Sequence, residues 1–328
     1  MTISSVVSMP DVNQVWAHST VSQELLRKVL DDERVTAIET DILIGSISDS
    51  MGSGAGDALV PICAHPPDNA SDLSVQSLIQ QLAKTAHHLK LDFKEAECVA
   101  PSLAMVNEIL ATPGTKAANM LLPPNQKRAL FVNADIVPGP GRSKSDMTVT
   151  AREFLEDCQN AFPTNGSIQG PPQFDVIYSL GWKVDVCWPF GYSSQHVAEM
   201  SRVLKEHQAT HLPLVLAVNA RLLAKSSATQ DFLNFLKTNP NRQILAWTGS
   251  GEPPIGQYTK SRIERLYQSV NGRVGFDAQV AENWSHAMTY DFVMYVLGWK
   301  NLLLRLARKI WESLAKSFRH SSNSTKND

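Results

Sequence analysis

Five acidic or imidazole side chains stand at the ends of short apolar runs. V-W-A-H closes on His18, A-I-E-T-D carries Glu39 and Asp41, L-V-P-I-C-A-H closes on His65, and L-K-L-D-F-K sets Asp92 between Lys90 and Lys94. Charge at the end of a buried strand is expensive unless something satisfies it, and a bound cation is the simplest partner. Residues two apart on a strand share a face, so Glu39 and Asp41 point together, as do Lys90, Asp92 and Lys94. Three carboxylates on neighbouring strands offer oxygen ligands to one hard divalent cation, Mg²⁺ or Ca²⁺. No tetrahedral Cys/His set favours zinc. Lys90 and Lys94 offset the surplus negative charge and leave positive potential for a phosphate. Two histidines on different strands supply a base for the attacking oxygen and an acid for the leaving one. Together these groups suit metal-assisted cleavage of a phosphodiester. Taken singly, either histidine could instead bond a backbone carbonyl, and Asp92 could simply neutralise Lys90.

Other chemistries find less support. The chain has no G-x-S-x-G elbow and no Walker A motif, and G-S-G-A-G at 52–56 fails the dinucleotide spacing. Two acids on one strand face make poor opposite-side partners for a glycosidase. With 30 basic and 32 acidic residues the net charge is -2, which carries no footprint for nucleic acid, so sequence-specific nucleic-acid binding is not expected. Cys63, Cys98, Cys158 and Cys187 form no CxxC pair and fit a reducing compartment. The N-terminus lacks the basic and apolar regions of a signal peptide, and no stretch reads as a membrane span. A cytoplasmic or membrane-peripheral monomer with unused sequons at Asn69, Asn165, Asn283 and Asn323 is the expectation.

The elements that must position these groups recur regularly. Strand-like runs fall at 12–18, 34–44, 88–94, 128–137, 174–180, 213–220, 242–248 and 273–278. Helical patterns fall at 21–31, 72–84, 101–111, 147–160, 194–207, 227–238 and 258–270. Ser71-Asp72, Ser193-Ser194 and Ser227 read as helix starts. Alternation of this kind predicts parallel strands with crossover helices, and eight repeats in 328 residues fit an α/β TIM (β/α)8 barrel better than an open sheet. The expected organisation is a tail at 1–11, one barrel domain at 12–304, and a basic amphipathic helix end with a disordered tail at 305–328. Residues 45–58 and 137–146 read as loops on the face where barrel enzymes keep their chemistry.

Further candidates for substrate contact lie on later runs. Asn133 and Asp135 share a face, as do Asn219 and Arg221, whose guanidinium suits bidentate phosphate binding. Trp182 and Trp247 could wall the pocket, with Lys183 beside them. Trp247 reads equally well as core, and Asp135 as a partner of Arg221 or Lys183.

The motifs W-A-H, E-T-D, A-H-P-P-D, L-K-L-D-F-K, F-V-N-A-D-I-V-P-G-P, S-L-G-W, L-P-L-V-L-A-V-N-A-R and W-T-G resemble the menorin family over roughly residues 12–280. That family in turn resembles the phospholipase C-like phosphodiesterase barrels, which include glycerophosphodiester phosphodiesterases and venom phospholipases D. The resemblance implies Glu39, Asp41 and Asp92 as ligands to Mg²⁺ or Ca²⁺ and His18 and His65 as the acid/base pair. It places Lys94 on the substrate phosphate, and the substrate as a small-molecule or lipid phosphodiester. A barrel that has lost useful catalysis and serves as a binding or scaffold protein is the alternative. The interval from Asp41 to His65 is longer than in those enzymes, so access to the site is expected to differ.

Beyond the eighth run, Leu303, Leu306, Ile310, Trp311 and Leu314 recur at helical spacing among Lys300, Arg305, Arg308, Lys309 and Lys316. A basic amphipathic helix of this type suits peripheral contact with an anionic membrane, while packing as the final barrel helix is the plainer expectation for 288–304.

Overall fold

The computed structural model describes residues 9, 14–48, 58–111, 128–163, 174–249, 252–270, 272–281, 292–308 and 310. Most of the 45–58 segment and the tail beyond residue 310 lie outside the described residues, including Trp311, Leu314 and Lys316.

In chain order the elements are β1 (Trp16–Ala17), α1 (Gln23–Leu30), β2 (Ala37–Ile47), β3 (Val60–Cys63), β4 (Ala70–Ser71), α2 (Val75–Leu82), β5 (His88–Phe93) and α3 (Val99–Ala111). They continue as β6 (Arg128–Pro138), α4 (Ala151–Ala161), β7 (Phe174–Lys183), α5 (Ser194–Glu206), β8 (Leu214–Asn219), α6 (Ala220–Ala224), α7 (Thr229–Lys237), β9 (Arg242–Trp247), α8 (Gln257–Leu266) and β10 (Val274–Asp277). A last helix, α9, covers 292–308.

Eight strands run parallel in the order β1-β2-β5-β6-β7-β8-β9-β10, alternating with helices as a nearly closed (β/α)8 barrel. All eight expected runs therefore form barrel strands. Side chains bridge the seam at the top, where His18 Nδ1, just past β1, lies 3.4 Å from Asp277 Oδ2 at the end of β10. Two strands were not expected. β3 pairs antiparallel with β2, and β4 pairs parallel with its end, so an elaboration after β2 occupies the place of a simple loop. Helix starts also differ from expectation: α2 is capped by Ser74 rather than Ser71-Asp72, and α7 follows Ala228 with no side-chain cap. At α5 the Ser193 expectation holds, as a capping box with His196. Each satisfied cap of this kind is worth about 1 kcal/mol.

The apolar interior has two parts. One large shell fills the space between strands and helices. A smaller plug inside the barrel joins Ala129, Phe131, Ile177, Val215 and Leu245 from β6 to β9, with Trp16 edge-on to Phe131 at 5.5 Å. Inward positions above this plug switch from apolar to charged. Register places Glu39 beside Lys90, then Asp41 beside Asp92, Asp92 beside Asn133, and Asn133 beside Ser179. A hydrophobic floor under a polar layer is how a packed barrel leaves a site at its C-terminal end.

Candidate active site

The polar layer is laced together by hydrogen bonds. Ser179 Oγ donates to Asn133 Oδ1 at 2.5 Å, and Asn133 Nδ2 donates to Asp92 Oδ1 at 2.7 Å, which orients the Asp92 carboxylate from two strands away. Glu39, Asp41 and Asp92 each offer one oxygen within 4.8 Å of the others. Glu39 accepts the backbone N–H of Ser19 at 2.6 Å. Lys94 Nζ sits 2.7 Å from Asp41 Oδ1 and 2.6 Å from Asp92 Oδ2, bridging two of the three carboxylates. An all-oxygen donor set of this spacing fits a hard divalent cation such as Mg²⁺ or Ca²⁺.

The histidines flank this cluster. His18 Nδ1 lies 3.5 Å from Glu39 Oε2 and 3.4 Å from Asp277 Oδ2. His65 Nε2 lies 4.0 Å from Asp41 Oδ2, and its Nδ1 donates to the Pro66 carbonyl at 2.6 Å. Since a carbonyl only accepts, that bond puts the proton on Nδ1 and leaves the Nε2 lone pair facing the cluster when the ring is neutral. Lys90 is buried, 3.5 Å from Asp277 Oδ2, with its ammonium 5.7 Å over the Trp16 ring.

Proton affinities follow from this crowding. Burial alone would lower the His18 pKa, yet Glu39 and Asp277 outweigh it and raise it to about 9. Burial pushes Glu39 above the usual carboxylate range, partly opposed by His18. For Lys94 burial acts downward, but Asp92 and Asp41 hold its pKa well above the ordinary lysine value. Burial would raise Asp92, yet Lys94 and Lys90 keep it low; Asp135, buried and near Asp92, is raised. A dense set of shifted groups at one cavity is the pattern of a functional site.

A cavity of about 410 Å³ joins His18, Glu39, Asp41, His65, Lys90, Asp92, Lys94, Asn133, Asp135, Lys183 and Trp247. Eleven of the thirteen site residues expected from sequence therefore meet in one place. Trp182 does not. It is fully buried on the outward face of β7, edge-on to Tyr192 at 5.3 Å and Phe232 at 5.9 Å, while its neighbours Gly181 and Lys183 turn inward. Strand alternation decides this: inward Lys183 forces Trp182 out. A Cβ on Gly181 would collide with Asp135 Oδ1 unless that carboxylate turned away, so the glycine lets Asp135 keep its position.

Arg221 also stands apart. β8 ends at Asn219, whose side chain caps α6 by accepting the Leu222 N–H at 3.2 Å, so Arg221 lies on a helix and shares no strand face with Asn219. Its guanidinium donates to Glu252 Oε2 at 2.9 Å and to the Pro253 and Pro254 carbonyls. Contact with a substrate phosphate is replaced by a buried clamp on the loop after β9.

Three residues escape the sequence reading: Arg142 and Asp185, which line the cavity, and Asp277, which pairs with His18 and Lys90 behind it. Asp277 ends the run V-G-F-D, the same signal of a carboxylate closing an apolar run that marks Glu39, Asp41 and Asp92. Arg142 and Asp185 sit in loops after β6 and β7, where no periodicity marks a residue's direction.

Comparison with known proteins agrees with the motifs. A model of the Menorin N-terminal domain matches residues 11–274. The chain belongs to the menorin family. The human Protein FAM151B is similar to this menorin-family chain, 30% identical over 223 residues, an alignment covering 66% of this chain and 65% of that protein. The chain thus spans just under two thirds of that relative's length. The family match runs from before β1 into the start of β10 and includes every cavity residue named above, while Asp277 lies beyond it.

Proposed function

We propose that the chain is a metal-dependent phosphodiesterase of the phospholipase C-like barrel class, a hydrolase or lyase acting on a small-molecule or lipid phosphodiester. The observation that carries this reading is the convergence of Glu39, Asp41 and Asp92 within 4.8 Å, in one cavity with His18 and His65. These three carboxylates would hold Mg²⁺ or Ca²⁺, which when bound supplies charge stabilisation to the phosphoryl oxygens.

The chain's own residues divide the rest. His65, with Nδ1–H committed to the Pro66 carbonyl, takes a proton at Nε2 from the attacking water or substrate hydroxyl. The P–O bond to the leaving group breaks as His18, held between Glu39 and Asp277, gives its proton to that oxygen. Lys94 and Lys90 face the anionic phosphate, and Lys183, Asn133, Asp135 and Trp247 line the space around it. Attack by water yields a hydrolysed monoester, and attack by a neighbouring hydroxyl of the substrate yields a cyclic phosphate.

A second reading draws on Lys94. Its ammonium already occupies a cation's place between Asp41 and Asp92, so the cluster can be balanced without metal in a barrel that binds rather than cleaves. Turnover of glycerophosphodiesters, lysophospholipids and bis(4-nitrophenyl) phosphate, measured with Mg²⁺, Ca²⁺ or chelator, separates the two. The enzyme reading expects metal-dependent turnover that His18→Ala and His65→Ala remove. Absence of turnover with either metal across the panel overturns it.

A further inference from the structure

Helix α9 is apolar on two opposite sides. One side docks on the barrel: Met294 is buried, and Gly298 approaches the Cys187 backbone so closely that a Cβ would collide with its carbonyl oxygen. Trp299 lies edge-on to Phe190 at 5.6 Å. Arg305 donates to the Gly141 carbonyl and to Asp185 Oδ2, the latter at 2.6 Å, with its guanidinium over Trp188. Residues 294, 298 and 305 recur at helical spacing and define the docked stripe.

The opposite side carries Phe292, Val296, Leu303 and Ile310, and Val293 and Leu304 continue the apolar surface on one flank, all exposed. Phe190, 51% exposed, extends the apolar surface from the loop after β7. A helix apolar all round needs a cover on its second face, and contiguous exposure on this scale marks an interaction surface.

Charge says what kind of cover. Residues 292–308 include Lys300, Arg305 and Arg308 and no acidic residue; Arg305 is held by Asp185 on the docked side, and Lys300 stands beside the exposed stripe, in a chain whose overall charge is -2. Lys225 adds its ammonium 5.9 Å over the Tyr295 ring at the same end. Aromatic residues and long basic side chains flanking an aliphatic stripe suit the boundary of an anionic bilayer, where the cations reach the headgroups as the stripe enters the acyl region. Among the described residues no helix is long and apolar enough to cross a membrane, so the contact is along the surface.

We propose that α9, with Phe190, docks the barrel on an anionic lipid bilayer. The docked side of the helix ties this surface to the cavity, because Asp185, which holds Arg305, also lines the cavity. The mouth of the site and the lipid-facing helix thus share an edge, and a lipid phosphodiester becomes the substrate class within reach. Docking itself is independent of turnover, so only this last step rests on the phosphodiesterase reading.

Co-sedimentation of the full chain with vesicles of phosphatidylcholine alone or with 30% phosphatidylserine tests the docking. Leu303→Glu/Leu304→Glu changes two exposed positions and leaves the docked stripe intact. Binding to the anionic vesicles at least tenfold above the neutral ones is expected, with loss of tenfold or more in the double variant. Lys300→Glu should weaken it by more than the about fivefold expected from one charge, because the substitution reverses a sign. Equal retention of wild type and double variant, or no retention on either vesicle, overturns the proposal. So does a dimer in size-exclusion chromatography that dissociates in the double variant, since a second copy would then cover the face. Loss of turnover with docking intact would instead count against the phosphodiesterase reading alone.

Discussion

Two clusters near the C-terminal ends of barrel strands pair basic side chains with carboxylates, and they differ in how completely the pairing is closed. After β8 and β9, Arg221 and Glu252 are buried and saturated: Glu252 takes Asn219 Nδ2 at 2.8 Å, the Gly249 N–H at 2.7 Å and the guanidinium at 2.9 Å. At β2 and β5, by contrast, Glu39, Asp41 and Asp92 face an open cavity, and the nearby lysines leave Glu39 with its pKa raised by burial. The first cluster satisfies itself and holds a loop. The second retains unsatisfied demand, and demand of that kind is what a ligand answers.

Substitution should separate the two by what is lost. Removing His65 or His18 as Ala should lower turnover by roughly 10²–10⁴-fold, the usual worth of a positioned acid or base. His65→Ala should leave the melting temperature nearly unchanged, whereas His18→Ala should also lower it, because Glu39 and Asp277 hold the charged imidazole; a large drop for His65→Ala would make that histidine structural and weaken the contrast. Arg221→Met should do the reverse. Leaving Glu252 buried and unpaired costs about 3–5 kcal/mol of stability by denaturant titration, and Glu252→Gln in the same chain should recover much of it. Loss of phosphate affinity without loss of stability would put Arg221 back among the substrate contacts.

A smaller effect comes from the opposite end of the barrel. His88 Nδ1 accepts the Ala129 N–H at 2.8 Å, a bond that only the unprotonated nitrogen can make. Burial first, then Arg128 and His87, depress its pKa from 6.5 to about 4. A depressed folded pKa means the full contribution is present above pH 6.5 and is lost as pH falls toward 4, by up to about 3 kcal/mol. His88→Gln should flatten that part of the stability-pH curve while leaving the metal response of the carboxylate cluster unchanged. An unaltered acid limb would assign the acid sensitivity to the site instead.

The contrast also explains what sequence could and could not disclose. Strands buried on both sides read as apolar runs, so all eight barrel strands were legible, and charge interrupting such a run stood out at Glu39, Asp41 and Asp92. The pairing state of a charge depends on residues far along the chain. Arg221 looked like a phosphate ligand because neither the helix start at Asn219 nor the reach of Glu252 is visible locally. Trp182 alternates with inward-facing Lys183 and so lies outside the site, and the β3–β4 elaboration is hidden in the sequence because its pairing with β2 is long-range.

Lys94 is where the two clusters come closest in character, since it bridges Asp41 and Asp92 as Arg221 serves Glu252. The most direct measurement is anomalous diffraction from crystals soaked in Mn²⁺. The expected result is a peak about 2.0–2.5 Å from oxygens of Glu39, Asp41 and Asp92, with the Lys94 ammonium displaced from between the aspartates. An absent peak, with Lys94 still seated between Asp41 and Asp92, would contradict it.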